Sequence, residues 1–171
     1  MLINKIFHME HVKEKIELDA IDVRILEALQ DDAALSNLEL AAAVHTSPAT
    51  CLRRLKRLVD TGVIERRVAI LSPERMGSSL TVFAEITLDR QGAEHLAAFE
   101  SRAAADVAVL QCHRVSPGPD FILMLHVADM PAWDAVVNRL FTQDANVRNV
   151  KSFFSVRRAK FETKVPVAVL R

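Results

Sequence analysis

A chain of 171 residues, half of them hydrophobic, can bury a real core in one domain or two small ones, which argues against a disordered protein. Its 22 basic and 22 acidic residues cancel, so bulk charge gives no argument for a nucleic-acid partner and the distribution has to be examined instead. That distribution is lopsided. Nine acidic residues against three basic ones from Glu10 to Glu39 give a local −6, whereas six basic against two acidic from Ser47 to Arg67 give +4.

In chain order, residues 1–17 carry Ile3, Ile6, Phe7, Val12 and Ile16 among charges and are expected to form an N-terminal arm or helix. Asp19 then precedes Ile21, Ile25, Leu26 and Leu29, a helix face behind an Asx cap. Ser36 or Asn37 caps a second helix through Val44, with Glu39 three residues past Ser36 as in a capping box. Only His45 and Thr46 separate it from a third, so these two helices meet across a tight turn, the geometry of a helix-turn-helix.

The third helix is specified at both ends. Ser47 is its cap, Pro48 suits the first helical position because its missing N–H has no partner there, and Gly62 suits a left-handed stop. Cys51, Leu52, Leu55, Leu58 and Val59 recur on one face and leave Arg53, Arg54, Lys56 and Arg57 off that stripe. Local pairing offers these four cations only Asp60, so an anionic partner is expected. Beyond Gly62, Val68 to Leu71 reads as extended and suits a wing strand, beside which Arg66 and Arg67 serve either phosphate contact or solubility.

From Leu80 the period changes. Leu80 to Leu88 alternates as a strand with Val82, Ala84, Ile86 and Leu88 on one side, and Gly92 to Ala105 is helical through Leu96, Phe99 and Ala103. Val107 to Val115 and Phe121 to Val127 form a hairpin around the forced turn Ser116-Pro117-Gly118-Pro119. Asp129 caps a helix carrying Trp133, Val136, Val137 and Leu140, and Val147 to Val156 returns as a strand. The succession βαββαβ is the ferredoxin-like arrangement, an antiparallel sheet with two helices on one face, whose other face predicts cover by a second subunit. Phe161 to Leu170 is expected to add an edge strand.

The chemistry is sparse elsewhere. Cys51 and Cys112 have neither metal nor disulfide-framework spacing, and adjacent Cys112 and His113 on a strand point to opposite faces. His8, His11, His45, His95 and His126 are scattered without metal-ligand spacing, so neither metal nor cofactor is expected. No nucleophile and base pair, Gly-rich phosphate loop or spaced carboxylate pair suggests an enzyme. With no charged-then-apolar leader and no apolar run of membrane-span length, a cytoplasmic protein is expected.

For duplex DNA, the N-terminal part of the third helix is expected in the major groove, from Ser47, with Thr50, Arg53 and Arg54 nearest the base edges and Lys56, Arg57 and Arg67 on phosphates. At the hairpin, Asp120 is a candidate acceptor for an ammonium group, and Ser116 or the Gly118 amide for a carboxylate. The alternative there is a rigid turn in which Asp120 caps its own backbone.

The ordered stretches Leu18-Asp19-Ala20-Ile21-Asp22 with Ile25-Leu26, Ser36-Asn37-Leu38-Glu39-Leu40-Ala41, Ser47-Pro48 with Cys51 to Leu58, Gly62-Val63-Ile64, Asp120-Phe121 and Ser152-Phe153 carry a resemblance. The chain resembles the feast/famine, or Lrp/AsnC, transcription regulators. That resemblance implies an α+β chain: an N-terminal winged helix-turn-helix over 18–72, a linker over 73–79 and a C-terminal ferredoxin-like, RAM-type effector and oligomerisation domain over 80–171. It also implies homodimers that often assemble further into octamers or discs, DNA wrapping or bending, and a small effector, commonly an amino acid, between C-terminal domains. Two departures stand out: Arg66-Arg67 where the family has an aromatic after the wing glycine, and Pro117 at the glycine of the family's Thr-Gly-x-x-Asp turn. The competing classes are a sirohaem-decarboxylase-like enzyme, similar in overall fold, and an amino-acid sensor without DNA binding. The cationic helix argues against both, and the absence of Tyr argues further against haem handling.

Overall fold

The computed structural model describes residues 16–77 and 79–167, so the expected arm at the N-terminus and the last residues of the expected C-terminal strand lie outside the described residues. The chain divides into two units, residues 1–70 with 161–171, and residues 71–160.

In the first unit, α1 (Ala20–Asp31) starts where Asp19 accepts from the Ile21 and Asp22 amides, and Asp22 reaches back to the Asp19 amide to complete a capping box. The second helix, α2 (Asn37–Ala43), repeats the device with Ser36 and Glu39, so Ser36 rather than Asn37 is the cap. His45 follows in the left-handed region, φ 55°, and turns the chain within two residues into α3 (Pro48–Asp60). Helix α3 has the expected ends: the Ser47 Oγ accepts from the Thr50 amide, Pro48 is the first residue, and Gly62 takes φ 73°. Apolar periodicity becomes packing: Ile25, Leu26, Leu40, Val44, Cys51 and Leu58 meet in one core.

Two expectations fail in this unit. Val68 to Leu71 forms no strand, because no segment of the described residues pairs with it, and Val68, Ile70 and Leu71 stay exposed. The C-terminal segment forms no strand through Val167 and does not extend the sheet of the second unit. It runs along the first unit instead. The Gln30 side chain brackets Val165, donating to its carbonyl at 3.0 Å and accepting from its amide at 2.6 Å, Lys164 pairs with Asp31, and Val167 is buried in the helical core. Beside the expected second domain over 80–171, the compact unit runs from Leu71 to Lys160, and the expected linker contains a short helix, α4 (Pro73–Met76).

The second unit is a four-stranded antiparallel sheet in the order β2-β3-β1-β4, built from β1 (Leu80–Leu88), β2 (Val109–Arg114), β3 (Phe121–Val127) and β4 (Val147–Phe154). Helix α5 (Ala93–Ala105) and helix α6 (Met130–Val136), which continues as a π-helical turn over Val137–Thr142, supply Phe99, Ala103, Trp133, Val136, Leu140 and Phe141 to its inner face. The alternation in β1 and β3 decides that face: Val82, Ala84, Ile86, Phe121, Leu123 and Leu125 are all fully buried. On the outer face Phe83 stands beside Phe153 and Met124, flanked by the cross-strand pair Glu85 and Lys151. Phe83 is 41% and Phe153 52% exposed, so an apolar surface is left on the sheet.

Candidate nucleic-acid interface and effector turn

The four cations of α3 do not share one environment. At about 100° per residue their order around the helix, moving away from the buried Cys51 and Leu58 side, is Arg54, Arg57, Arg53, Lys56. Arg54 lies against α1 with its side chain 18% exposed, its Nη1 donating to Asp19 Oδ2 at 2.6 Å and to Asp22 Oδ1 at 3.0 Å. Arg57 donates through Nη2 to Asp22 Oδ2 at 2.5 Å. Arg53 and Lys56 are exposed and have no ion-pair partner among the described residues.

Local spacing therefore names the wrong acid. Asp60 pairs with none of these cations among the described residues, and the partners come from Asp19 and Asp22, more than thirty residues upstream. Asp22 is the residue that the local spacing missed. A legible signal was present: its carboxylate lies within the apolar stripe of α1, beside Ile21, Ile25 and Leu26, and a charge placed there needs a cation from a packed neighbour. Among the described residues it is the one charged residue that is fully buried, at 1% exposure. Asp19 has its carboxyl pulled down to about 2, first by the Asp22 amide and then by the Arg54 guanidinium.

The exposed start of α3 holds the remaining candidates. Ser47 and Thr50 are joined, the Ser47 hydroxyl donating to Thr50 Oγ1 at 2.9 Å, and Asn37 donates to the Pro48 carbonyl at 3.0 Å, which fixes the angle between α2 and α3. Arg66 and Arg67 are exposed past the helix end, without ion-pair partners among the described residues. Helix α3 thus offers a hydroxyl pair at its start and two unpaired cations along its middle, the composition that can read a groove and hold its phosphates.

At the hairpin of the second unit, the Ser116–Pro117 peptide is cis and Gly118 has φ 123°, a conformation favouring glycine. Ser116 and Gly118 are exposed, with no hydrogen bond among the described residues. Asp120 is committed. Its Oδ2 accepts from the Leu88 amide at 2.7 Å, its own amide donates to the Ile86 carbonyl at 2.8 Å, and its carbonyl accepts from Val115. The cap thus reaches across to β1 instead of closing on its own backbone, supplying an acceptor to the last residue of β1 where β3 begins. Cys112 lies against the helical side of the sheet with its thiol pushed up by burial and then by Glu100, while the ring of His113 meets Gln111, so the two form no joint site.

Both domains have counterparts in known proteins. Residues 18–65 match the winged helix-turn-helix DNA-binding model, and residues 81–165 match the Lrp/AsnC ligand binding domain. The chain belongs to the Lrp/AsnC family of transcription regulators. This Lrp/AsnC chain is 34% identical to a leucine-responsive regulatory protein of Rhizobium meliloti, over 90% of its own length and 98% of the relative's. It is 34% identical to the DNA-binding transcriptional activator DecR of Escherichia coli, over 88% and 99% respectively. Among solved structures, an AsnC family regulator from Agrobacterium tumefaciens superposes with a TM-score of 0.83 at 32% identity, over 90% of this chain and all of that one. A transcriptional regulator from Neisseria meningitidis in complex with L-Met does so with a TM-score of 0.83 at 31% identity, over 91% and 100%. No helix of the described residues is long and apolar enough to cross a membrane.

Proposed function

We propose that this Lrp/AsnC regulator reads duplex DNA through the N-terminal half of α3. Thr50 and Arg53 lie over base edges, while Lys56 and Arg67 hold phosphates. The observation that carries the reading is the pair of exposed, uncommitted cations Arg53 and Lys56 beside the capped start of a rigid helix. A cytoplasmic location follows from a DNA partner.

The effector is an α-amino acid at the 116–120 hairpin. The Ser116 hydroxyl and the Gly118 amide meet its carboxylate, and the oxygen of Asp120 not committed to Leu88 meets its ammonium group. The L-Met complex of the Neisseria relative supports that ligand class. A homodimer forms through Phe83, Met124 and Phe153 on the outer face of the sheet, since an exposed apolar sheet face is most simply covered by its own copy. Phe83→Lys should then give monomers by analytical ultracentrifugation.

The deciding experiment compares Arg53→Ala with Arg139→Ala on an operator selected from a random duplex pool, by fluorescence anisotropy at fixed salt. Arg139 is held bidentately by Asp106 in the second unit, at 2.5 and 2.7 Å, and serves as the control. Loss of Arg53 should cost about 1–3 kcal/mol of operator binding, the value of one bidentate base contact. Equal affinity of the two variants would overturn the assignment. A thermal-shift screen of the amino acids tests the effector, because a ligand that binds only the folded state raises its stability.

A further inference from the structure

The cations of α3 fall into two pairs, and the division follows from what faces each. Arg54 and Arg57, three residues apart, turn toward the N-terminus of α1, where Asp22 places one carboxylate oxygen on each. Asp19 adds a second oxygen to Arg54 while its other oxygen caps α1 through the Ile21 and Asp22 amides. Each acid thus joins the first turn of α1 to the middle of α3. A carboxylate as buried as Asp22 is destabilising unless its partners stay in place. Any rotation of α3 that carried Arg54 or Arg57 toward a phosphate would strip that carboxylate of its counter-charge.

We infer that Asp22 and Asp19 are positioning residues for DNA recognition, and that Arg54 and Arg57 are the pins through which they hold α3, leaving Arg53 and Lys56 as its DNA-contacting cations. The inference rests on the DNA-binding reading above. It divides a run that a sequence motif presents as four equivalent DNA ligands, and it makes two acids with no reach to DNA determinants of how well an operator is told from other duplexes. Asp19 is the adjustable member: its side chain is half exposed, so its removal unpins one contact of Arg54 without emptying a buried site.

Salt dependence separates a pin from a phosphate ligand. Each phosphate contact contributes about 0.9 to the slope of log affinity against log salt, whereas a residue acting through helix position contributes nothing to it. The full chain and its variants Lys56→Gln, Arg54→Gln, Arg57→Gln and Asp19→Asn are titrated with the selected operator and with a random duplex across a salt series. Circular dichroism and thermal melting report folding. Lys56→Gln should lower the operator slope by about one per protomer. Arg54→Gln and Arg57→Gln should weaken operator binding and leave the slope unchanged. Asp19→Asn, which loosens Arg54 while leaving it on Asp22, should lower the operator-to-random affinity ratio and leave the slope on random duplex unchanged. That signature would not arise from simple loss of stability. A drop in slope for Arg54→Gln or Arg57→Gln equal to that of Lys56→Gln overturns the inference, as does an unchanged operator-to-random ratio in Asp19→Asn. Should the unaltered protein show no preference for any duplex, the DNA-binding reading itself fails, a result distinct from either.

Discussion

Helix α3 and the 115–120 hairpin both present polar groups at the end of a regular element, and they differ in how many of those groups the fold already uses. At α3 the Thr50 amide is satisfied by Ser47, two arginines are tied to α1, and Arg53 and Lys56 are left over. At the hairpin both the amide and a carboxylate oxygen of Asp120 complete the ladder beside β1, and what is left over is the Ser116 hydroxyl and the Gly118 amide. Candidate ligands are therefore not the polar residues of a motif. They are the polar atoms that remain after the fold has satisfied its own donors and acceptors.

The largest effect that would break this comparison is at Asp120. Removing its carboxylate in Asp120→Ala leaves the amide of the buried Leu88 without an acceptor, so urea denaturation should show a loss of about 2 kcal/mol. An unchanged midpoint accompanied by a lost effector response would assign that carboxylate to the ligand. Next is Ser47→Ala, which strips the cap from α3 and should destabilise the first unit by about 1 kcal/mol, read from its thermal transition. A smaller effect of opposite sign is expected at the turn between α2 and α3. His45→Gly relieves a side chain at φ 55° and should raise stability by about 0.5 kcal/mol, unless the looser turn unpins α3, in which case operator affinity would fall.

The smallest effect is acid sensitivity. Asp19 is held near 2, and Asp106 is held below the usual carboxylate range chiefly by the Arg139 guanidinium. A depressed carboxyl contributes stability that is fully present above its unfolded value near 4 and is lost as the pH falls through its folded value. Melting temperatures of Asp19→Asn and of the unaltered chain should therefore differ at pH 6 and converge toward pH 2. A gap that persists at pH 2 would mean that Asp19 acts through something other than its charge.

Much of the fold was readable along the chain because its signals are local. The caps at Asp19, Ser36 and Ser47 lie within three residues of the amides they satisfy, and the alternation of Val82, Ala84, Ile86 and Leu88 states which face of β1 is inward. The two misread segments have no such closure. Val68 to Leu71 has strand composition, but a strand exists only with a partner, and none of the described residues supplies one. The Val165-Pro166-Val167 segment also reads as β, yet its backbone finds the Gln30 side chain and its last valine finds the helical core.

What the sequence determined by itself was the identity of the parts: three capped helices with a cationic third, then βαββαβ with a proline-bounded turn. Period and cap chemistry are set within one or two turns of chain, so no tertiary knowledge is needed to read them. What only the tertiary structure decided was the use of each charge. The partners of Arg54 and Arg57 lie 32 to 35 residues away, and the acceptor for the Leu88 amide lies 32 residues away, separations over which only packing brings atoms within hydrogen-bond reach. Four adjacent cations look alike in one dimension. In three, a buried carboxylate at the start of α1 ties two of them to the fold and leaves two exposed without an ion-pair partner among the described residues.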